Sequence, residues 1–133
     1  MVFVDTGAFL ARYLAKDEHH HKALAIWESL QGTPLFTSNH VLDETATLIG
    51  RRAGHHFATD RIENIYGSRD IEVLRSTESD EIEALRWFRK FADQKVSFTD
   101  CISFALMKRL GIGAAFTFDE HFSRAGFQIS RPR

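Results

Sequence analysis

Val2-Phe3-Val4 is a short run with no polar alternation, so a strand built from it is apolar on both faces and must be covered above and below. That demand points away from a half-exposed antiparallel sheet and toward a parallel sheet with helices on both sides. The rest of the chain is patterned to match. The first strand is expected over residues 2–6, followed by helices over 8–14 and 18–30, the second with Ala23, Ile26, Trp27 and Leu30 on one stripe. Gly32-Thr33-Pro34 breaks the chain before a second strand at 35–37. Ser38 or Asn39 caps a helix that ends near Gly54, and residues 55–67 form another with Ile62, Ile65 and Tyr66 inward. A third strand is expected at 71–74. Thr77-Glu78-Ser79-Asp80 opens a helix whose apolar face is Ile82, Leu85, Trp87, Phe88 and Phe91. A further helix runs from near Ser97 to Gly111, a residue suited to the position just past a helix end. Residues 114–118 form a strand, 119–123 a helical turn and 127–129 an edge strand. Strands alternating with helices, with no repeat and no linker, describe one α/β domain over residues 1–133.

Composition narrows the function classes. The 133 residues suffice for a core, and 12 of the 16 aromatic residues are Phe, which suits dry packing. The single cysteine, Cys101, excludes an internal disulfide framework and a Cys-rich metal site. No basic leader precedes Asp5 and no apolar run approaches the ~18 residues of a membrane span, so the chain reads as soluble and cytoplasmic, with no membrane partner. The net charge of −1 leaves nucleic acid open: with four acids neutralised at a cation, the 17 basic residues would be in modest excess over the rest of the 18 acids.

Four acids stand where acids are awkward. Asp5 ends the first strand and Asp119 ends the strand at 114–118, so VFV-D and FTF-D repeat one arrangement. Ligands of open parallel sheets bind at such carboxyl ends. Either Asp also suits a helix cap. Glu44 has Val41 and Leu48 as helical neighbours and interrupts an inward stripe, whereas Asp43 points elsewhere. Asp100 shares a face with Phe104 and Met107, yet Ser97-Phe98-Thr99-Asp100 also has the spacing of a capping box, as does Thr77 to Asp80. Gathered carboxylates repel one another unless a cation joins them. An all-oxygen set selects Mg²⁺ or Mn²⁺ over zinc, and such an ion activates water and orients a phosphodiester.

The stretches VFVDTGAFLA, NHVLDETATLIGRR, SFTDCISFALMKRLGI and AFTFDEHFSRAGF occur in the order and spacing of the PIN-domain ribonucleases, and the chain most resembles their VapC-type toxins. The resemblance covers the chain from Val2 to Ile129. It implies a three-layer α/β/α sandwich with a short central parallel sheet. It places Asp5, Glu44, Asp100 and Asp119 at the family's four acidic positions, Asp5 and Asp100 foremost as metal ligands and the other two completing the pocket. It implies one or two Mg²⁺ or Mn²⁺ ions and hydrolysis of RNA by in-line attack of water, leaving 5′-phosphate and 3′-hydroxyl ends. Thr6, Thr99 and Thr117 flank the acids and are candidates to hold them in place. Partners implied are an RNA (a tRNA, ribosomal RNA or message), a VapB-like antitoxin and a second copy in a homodimer.

Other residues weigh less. His19-His20-His21 point in different directions and read as a polar helix entry; His121 reads as a surface residue and Cys101 as core. Arg51-Arg52, Lys108-Arg109, Arg131 and Arg133 are candidate phosphate contacts. The rival readings are a housekeeping nuclease of the same fold, a phospho-acceptor domain and a non-catalytic interaction module. A Lys expected at a late strand end of the phospho-acceptor type is replaced here by Asp119.

Overall fold

The computed structural model describes residues 1–132. Its strands are β1 (Val2–Val4), β2 (Leu35–Ser38), β3 (Ile71–Leu74), β4 (Ala114–Phe116) and β5 (Gln128–Ile129), all parallel in the order β3-β2-β1-β4-β5. The strand whose composition demanded cover on both faces is the central one. Val2 sits between Leu35 and Ala114 in register, and all three β1 residues are buried.

The helices are α1 (Thr6–Tyr13), α2 (His20–Ser29), α3 (Asn39–Ala53), α4 (His55–Gly67), α5 (Glu78–Lys90), α6 (Phe98–Leu110) and α7 (His121–Arg124). Right-handed crossovers put α1 to α4 on one face and α5 to α7 on the other. The contacts α1–α2, α1–α3 and α3–α4, against α5–α6 and α6–α7, respect that division. The result is the three-layer α/β/α sandwich expected. α3 and α6 also touch, the one such meeting between the two layers among the principal helix contacts. Both start near the carboxyl ends of the strands, where the site lies.

Strand ends differ from expectation in an informative way. Asp5 N–H still donates to Phe116 O (3.0 Å), but the Asp5 carbonyl then accepts from Ala8 N–H (3.1 Å), so Thr6 already belongs to α1. β4 likewise stops at Phe116, before Thr117 and Phe118. The chain turns at its acids. Ser38, rather than Asn39, caps α3 by accepting from Val41 N–H, and Gly111 ends α6 in the left-handed conformation (φ 69°).

Four apolar residues expected inward are exposed: Tyr66 on α4, and Ile82, Leu85 and Phe88 on α5, at 51, 56 and 45%. α5 buries Ala84, Trp87 and Phe91 against the core instead. Residues 84, 87 and 91, spaced three and then four apart, form one stripe. Residues 82, 85 and 88 form a second stripe about 100° around the helix, beyond what the layer beneath covers.

Candidate active site

Strand order reverses at β1: the chain steps through β2 and β3 on one side and returns to β4 on the other. Such a reversal opens a crevice at the carboxyl ends of the two central strands. There a cleft of about 390 Å³ is lined by Asp5, Thr6, Glu44, Lys95, Asp100 and Asp119, among others. The four acids arrive on four separate pieces of backbone. Asp5 occupies the N-cap position of α1 without a side-chain capping bond, Glu44 sits in the second turn of α3, Asp100 in the first turn of α6, and Asp119 in the loop before α7. A larger cavity of about 760 Å³ opens at the amino ends of the strands, near Pro34 and Asp70, and holds none of these acids.

The cleft is costly for anionic groups. Asp5 and Asp100 are buried, at 5 and 7% exposure. Burial, then the charges of Asp119 and Glu44, push the Asp5 carboxyl up to about 7 despite hydrogen bonds from Thr117 and the Thr6 backbone. Burial, then Asp5 and Asp119, push Asp100 up to about 9. No Arg or Lys lies within ion-pair distance of any of the four acids among the described residues. Lys95, exposed at the rim, is the cationic side chain lining the cleft.

Of the three threonines, Thr117 ties the cleft together. Its hydroxyl donates to Asp5 Oδ2 (2.8 Å) and accepts from Asp119 N–H (3.0 Å), coupling the ends of β1 and β4. Thr6 lines the cleft with a buried hydroxyl that has no partner. Thr99 does not line it, and its carbonyl instead accepts from Ser103. Cys101 is fully buried, its thiol pushed up to about 11 by burial and the Asp100 charge, which suits core packing and not nucleophilic work.

His121 is the residue that sequence reasoning set aside. Its Nδ1 lies 2.7 Å from Asp119 Oδ1 but outside hydrogen-bond alignment, and its side chain is 16% exposed. His121 N–H donates to the same carboxylate oxygen (2.9 Å), a tight turn that follows from the two-residue spacing Asp119-Glu120-His121. That spacing was the available signal. His19 also departs from the polar-entry reading, since its ring stacks on Phe118 at 4.3 Å between centroids. Among the basic candidates, Arg109 is committed to Asp80, Arg52 lines an apolar groove beside Phe57, and Arg131 lines a cleft next to the acids. Arg133 lies outside the described residues.

These side chains fit a divalent cation. The donors are hard carboxylate oxygens with one imidazole and no thiolate. Ligand atoms of Asp100, Asp119 and His121 lie within 4.8 Å of one another. The orphaned Thr6 hydroxyl and His121 Nδ1 are buried polar atoms that a bound ion or its waters would satisfy.

The PIN domain model matches residues 2–128. The chain is 40% identical over 132 residues, 99% of both chains, to the 23S rRNA-specific endonuclease VapC20 of Mycobacterium tuberculosis. It is 31% identical over 125 residues to a VapC ribonuclease of Archaeoglobus fulgidus, covering 90% of this chain and 78% of that one. The crystal structure of Mycobacterium tuberculosis VapC20, a sarcin–ricin loop cleaving toxin, matches with a TM-score of 0.91 and 39% identity over 99% of this chain and 100% of the other. FitAcB from Neisseria gonorrhoeae, at 15% identity and a TM-score of 0.69 over 99 and 98% of the two chains, shares the fold.

Proposed function

The chain belongs to the PIN-domain family, with VapC ribonucleases as its relatives, and from that premise we propose a divalent-metal-dependent endoribonuclease, the toxin of a toxin–antitoxin pair, acting as one domain over residues 1–133 on 23S ribosomal RNA in the cytoplasm. The observation that carries the reading is the pair of buried acids, Asp5 and Asp100, in one cleft with Glu44 and Asp119 and with no Lys or Arg paired to them among the described residues. The ribosomal target rests on 40% identity across the whole length of VapC20.

Asp5 and Asp100 would hold Mg²⁺ or Mn²⁺, one or two ions, with Asp119, Glu44 and His121 completing the ligand shell. A bound ion of this kind supplies charge neutralisation at a phosphodiester and a water of lowered pKa. Thr117 fixes the rotamer of Asp5 and, through the Asp119 backbone, the distance between two of the acids. Glu44 or Asp119 orients the attacking water. Lys95, the one Lys or Arg of the cleft lining among the described residues, would meet the RNA backbone at the rim.

Partner surfaces follow from the same reading. The exposed stripe Ile82-Leu85-Phe88 supports a homodimer. α5 carries Glu78 and Glu81 in its first turn and Arg89 and Lys90 in its last, so two copies crossing antiparallel would match acid to base at both ends. The groove of about 570 Å³ between Tyr13, Leu14 and Phe57 supports an apolar antitoxin segment.

The test is cleavage of ribosomes, naked ribosomal RNA and tRNA by purified, antitoxin-free protein in EDTA, Mg²⁺ or Mn²⁺. Metal-dependent cuts in 23S rRNA, absent from Asp5→Asn and Asp100→Asn proteins that remain folded, are expected. Cuts confined to tRNA would move the target, and no cutting of any RNA would leave the interaction-module reading.

A further inference from the structure

Beside the acid cleft lies a second one of about 350 Å³, at the small end of the ~300–1,000 Å³ range of ligand pockets. Phe118 and Asp119 line both, so they form the shared wall. The two clefts differ in character. The first is a trap for cations. The second joins an aromatic surface to basic side chains.

Its floor is built by two distant parts of the chain. His19, just before α2, lays its imidazole flat on the Phe118 ring, with centroids 4.3 Å apart and planes within 6°. Phe118 is held from beneath by an edge contact with Phe116 in β4. One face of the imidazole is thus fixed on Phe118, while the side chain keeps 42% of its surface exposed. Lys22, three residues on, brings an ammonium to the same cleft, and Arg131 brings a guanidinium from beyond β5. Of the acids nearby, Asp119 forms the shared wall, Glu120 is engaged by Arg124 (3.1 Å), the Asp17 carboxylate accepts from His19 N–H (2.8 Å), and the largely exposed Glu18 lies 3.3 Å from His19 Nε2. An open aromatic face with flanking cations is the chemistry that binds a nucleotide, because every base has a π-face and every phosphate a charge.

We propose that this cleft is the subsite for a nucleotide adjoining the cut phosphodiester, its base stacked on the open face of His19 and its phosphate met by Lys22 and Arg131. The inference rests on the nuclease reading, since the shared Phe118–Asp119 wall places such a nucleotide next to the acids. An RNA strand crossing the acid cleft meets repulsion from its carboxylates, with Lys95 at the rim to offset it, so cations beyond the cleft add anchorage. His19 is a binding residue here and takes no part in the bond-breaking step.

The test uses a synthetic hairpin bearing the sarcin–ricin loop, with 2-aminopurine placed in turn at positions flanking the cut. In EDTA, where nothing is cleaved, fluorescence quenching at one flanking position reports stacking. His19→Ala is expected to remove that quench and raise KM about tenfold with kcat changed less than twofold, and His19→Phe to restore both. Lys22→Ala and Arg131→Ala are each expected to lower the slope of log Kd against log salt by about 0.7, the share of one phosphate contact on a single strand. A wild type that cuts the hairpin while these variants keep its KM, quench and salt slope overturns the subsite alone. Variants that bind RNA normally but lose affinity for an antitoxin peptide also overturn it, in favour of protein docking. A wild type that neither binds nor cuts RNA removes the nuclease reading and the subsite together.

Discussion

At the start of α5, Thr77 and Asp80 close a reciprocal capping box; at the start of α6, Ser97 and Asp100 have the same spacing and half of the box stays open. Thr77 N–H donates to Asp80 Oδ2 (2.9 Å) and Asp80 N–H donates back to Thr77 Oγ1 (3.2 Å). Arg109 then clamps Asp80 through Nε and an Nη at 2.7 and 2.9 Å. The Arg109 guanidinium holds the Asp80 carboxyl below the usual carboxylate range although the residue is only 3% exposed. Asp100 gives its N–H to Ser97 Oγ (3.0 Å), but its carboxylate faces the cleft, where burial and two other acids push it far upward. One acid is satisfied by the fold, and the other is left for something the fold does not contain.

The largest expected effect separates the two by activity. Asp100→Asn should cut initial rates of RNA cleavage at least about 100-fold, as loss of several kcal/mol of metal-assisted stabilisation requires. Asp80→Asn should leave the rate per folded molecule within twofold. Equal losses in both would break the comparison.

Stability should rank them the other way. Asp80→Ala removes both the box and the partner of Arg109, and denaturant unfolding should show a loss of about 2–3 kcal/mol. Asp100→Asn should raise the metal-free melting temperature, because it deletes a buried, unpaired acid.

pH sharpens the contrast. Asp5 and Asp100 titrate higher in the folded chain than unfolded, so the folded state holds more protons between about pH 4 and 9. In EDTA, stability should therefore fall as pH rises across that window, by at least about 1.4 kcal/mol, the equivalent of one pK unit. Asp80 has the opposite sign: its contribution is present at neutral pH and is lost as pH falls through and below the carboxylate range. Saturating Mg²⁺ should flatten the alkaline slope and release protons on binding, which calorimetry in two buffers would measure. A flat metal-free profile would show that the acids of the cleft are solvated.

The smallest effect concerns the caps themselves. Thr77→Ala should cost about 1 kcal/mol, and Ser97→Ala less, since the exposed Ser97 hydroxyl serves one donor and receives nothing from Asp100. Thermal melts of the two variants would check the order.

Much of this was legible beforehand because it is local. An all-apolar β1 demands cover on both faces, Gly111 ends a helix, and the acids after VFV and FTF mark the carboxyl ends of strands that turn out to be neighbours. Glu44 was readable as an acid in an apolar stripe. The outward turn of Ile82, Leu85 and Phe88 was not readable, because the apolar set of α5 is wider than the surface beneath it. Nor was the ion pair of Arg109 with Asp80, 29 residues apart, or the stacking of His19 on Phe118. Sequence spacing determines which side chains share a face of one element, through the periods of helix and strand. Which of two like Ser/Thr-x-x-Asp starts holds a structural acid and which a free one depends on what the neighbouring elements bring to it. Only the tertiary fold, by carrying Arg109 to one helix start and Asp5 and Asp119 to the other, decides that.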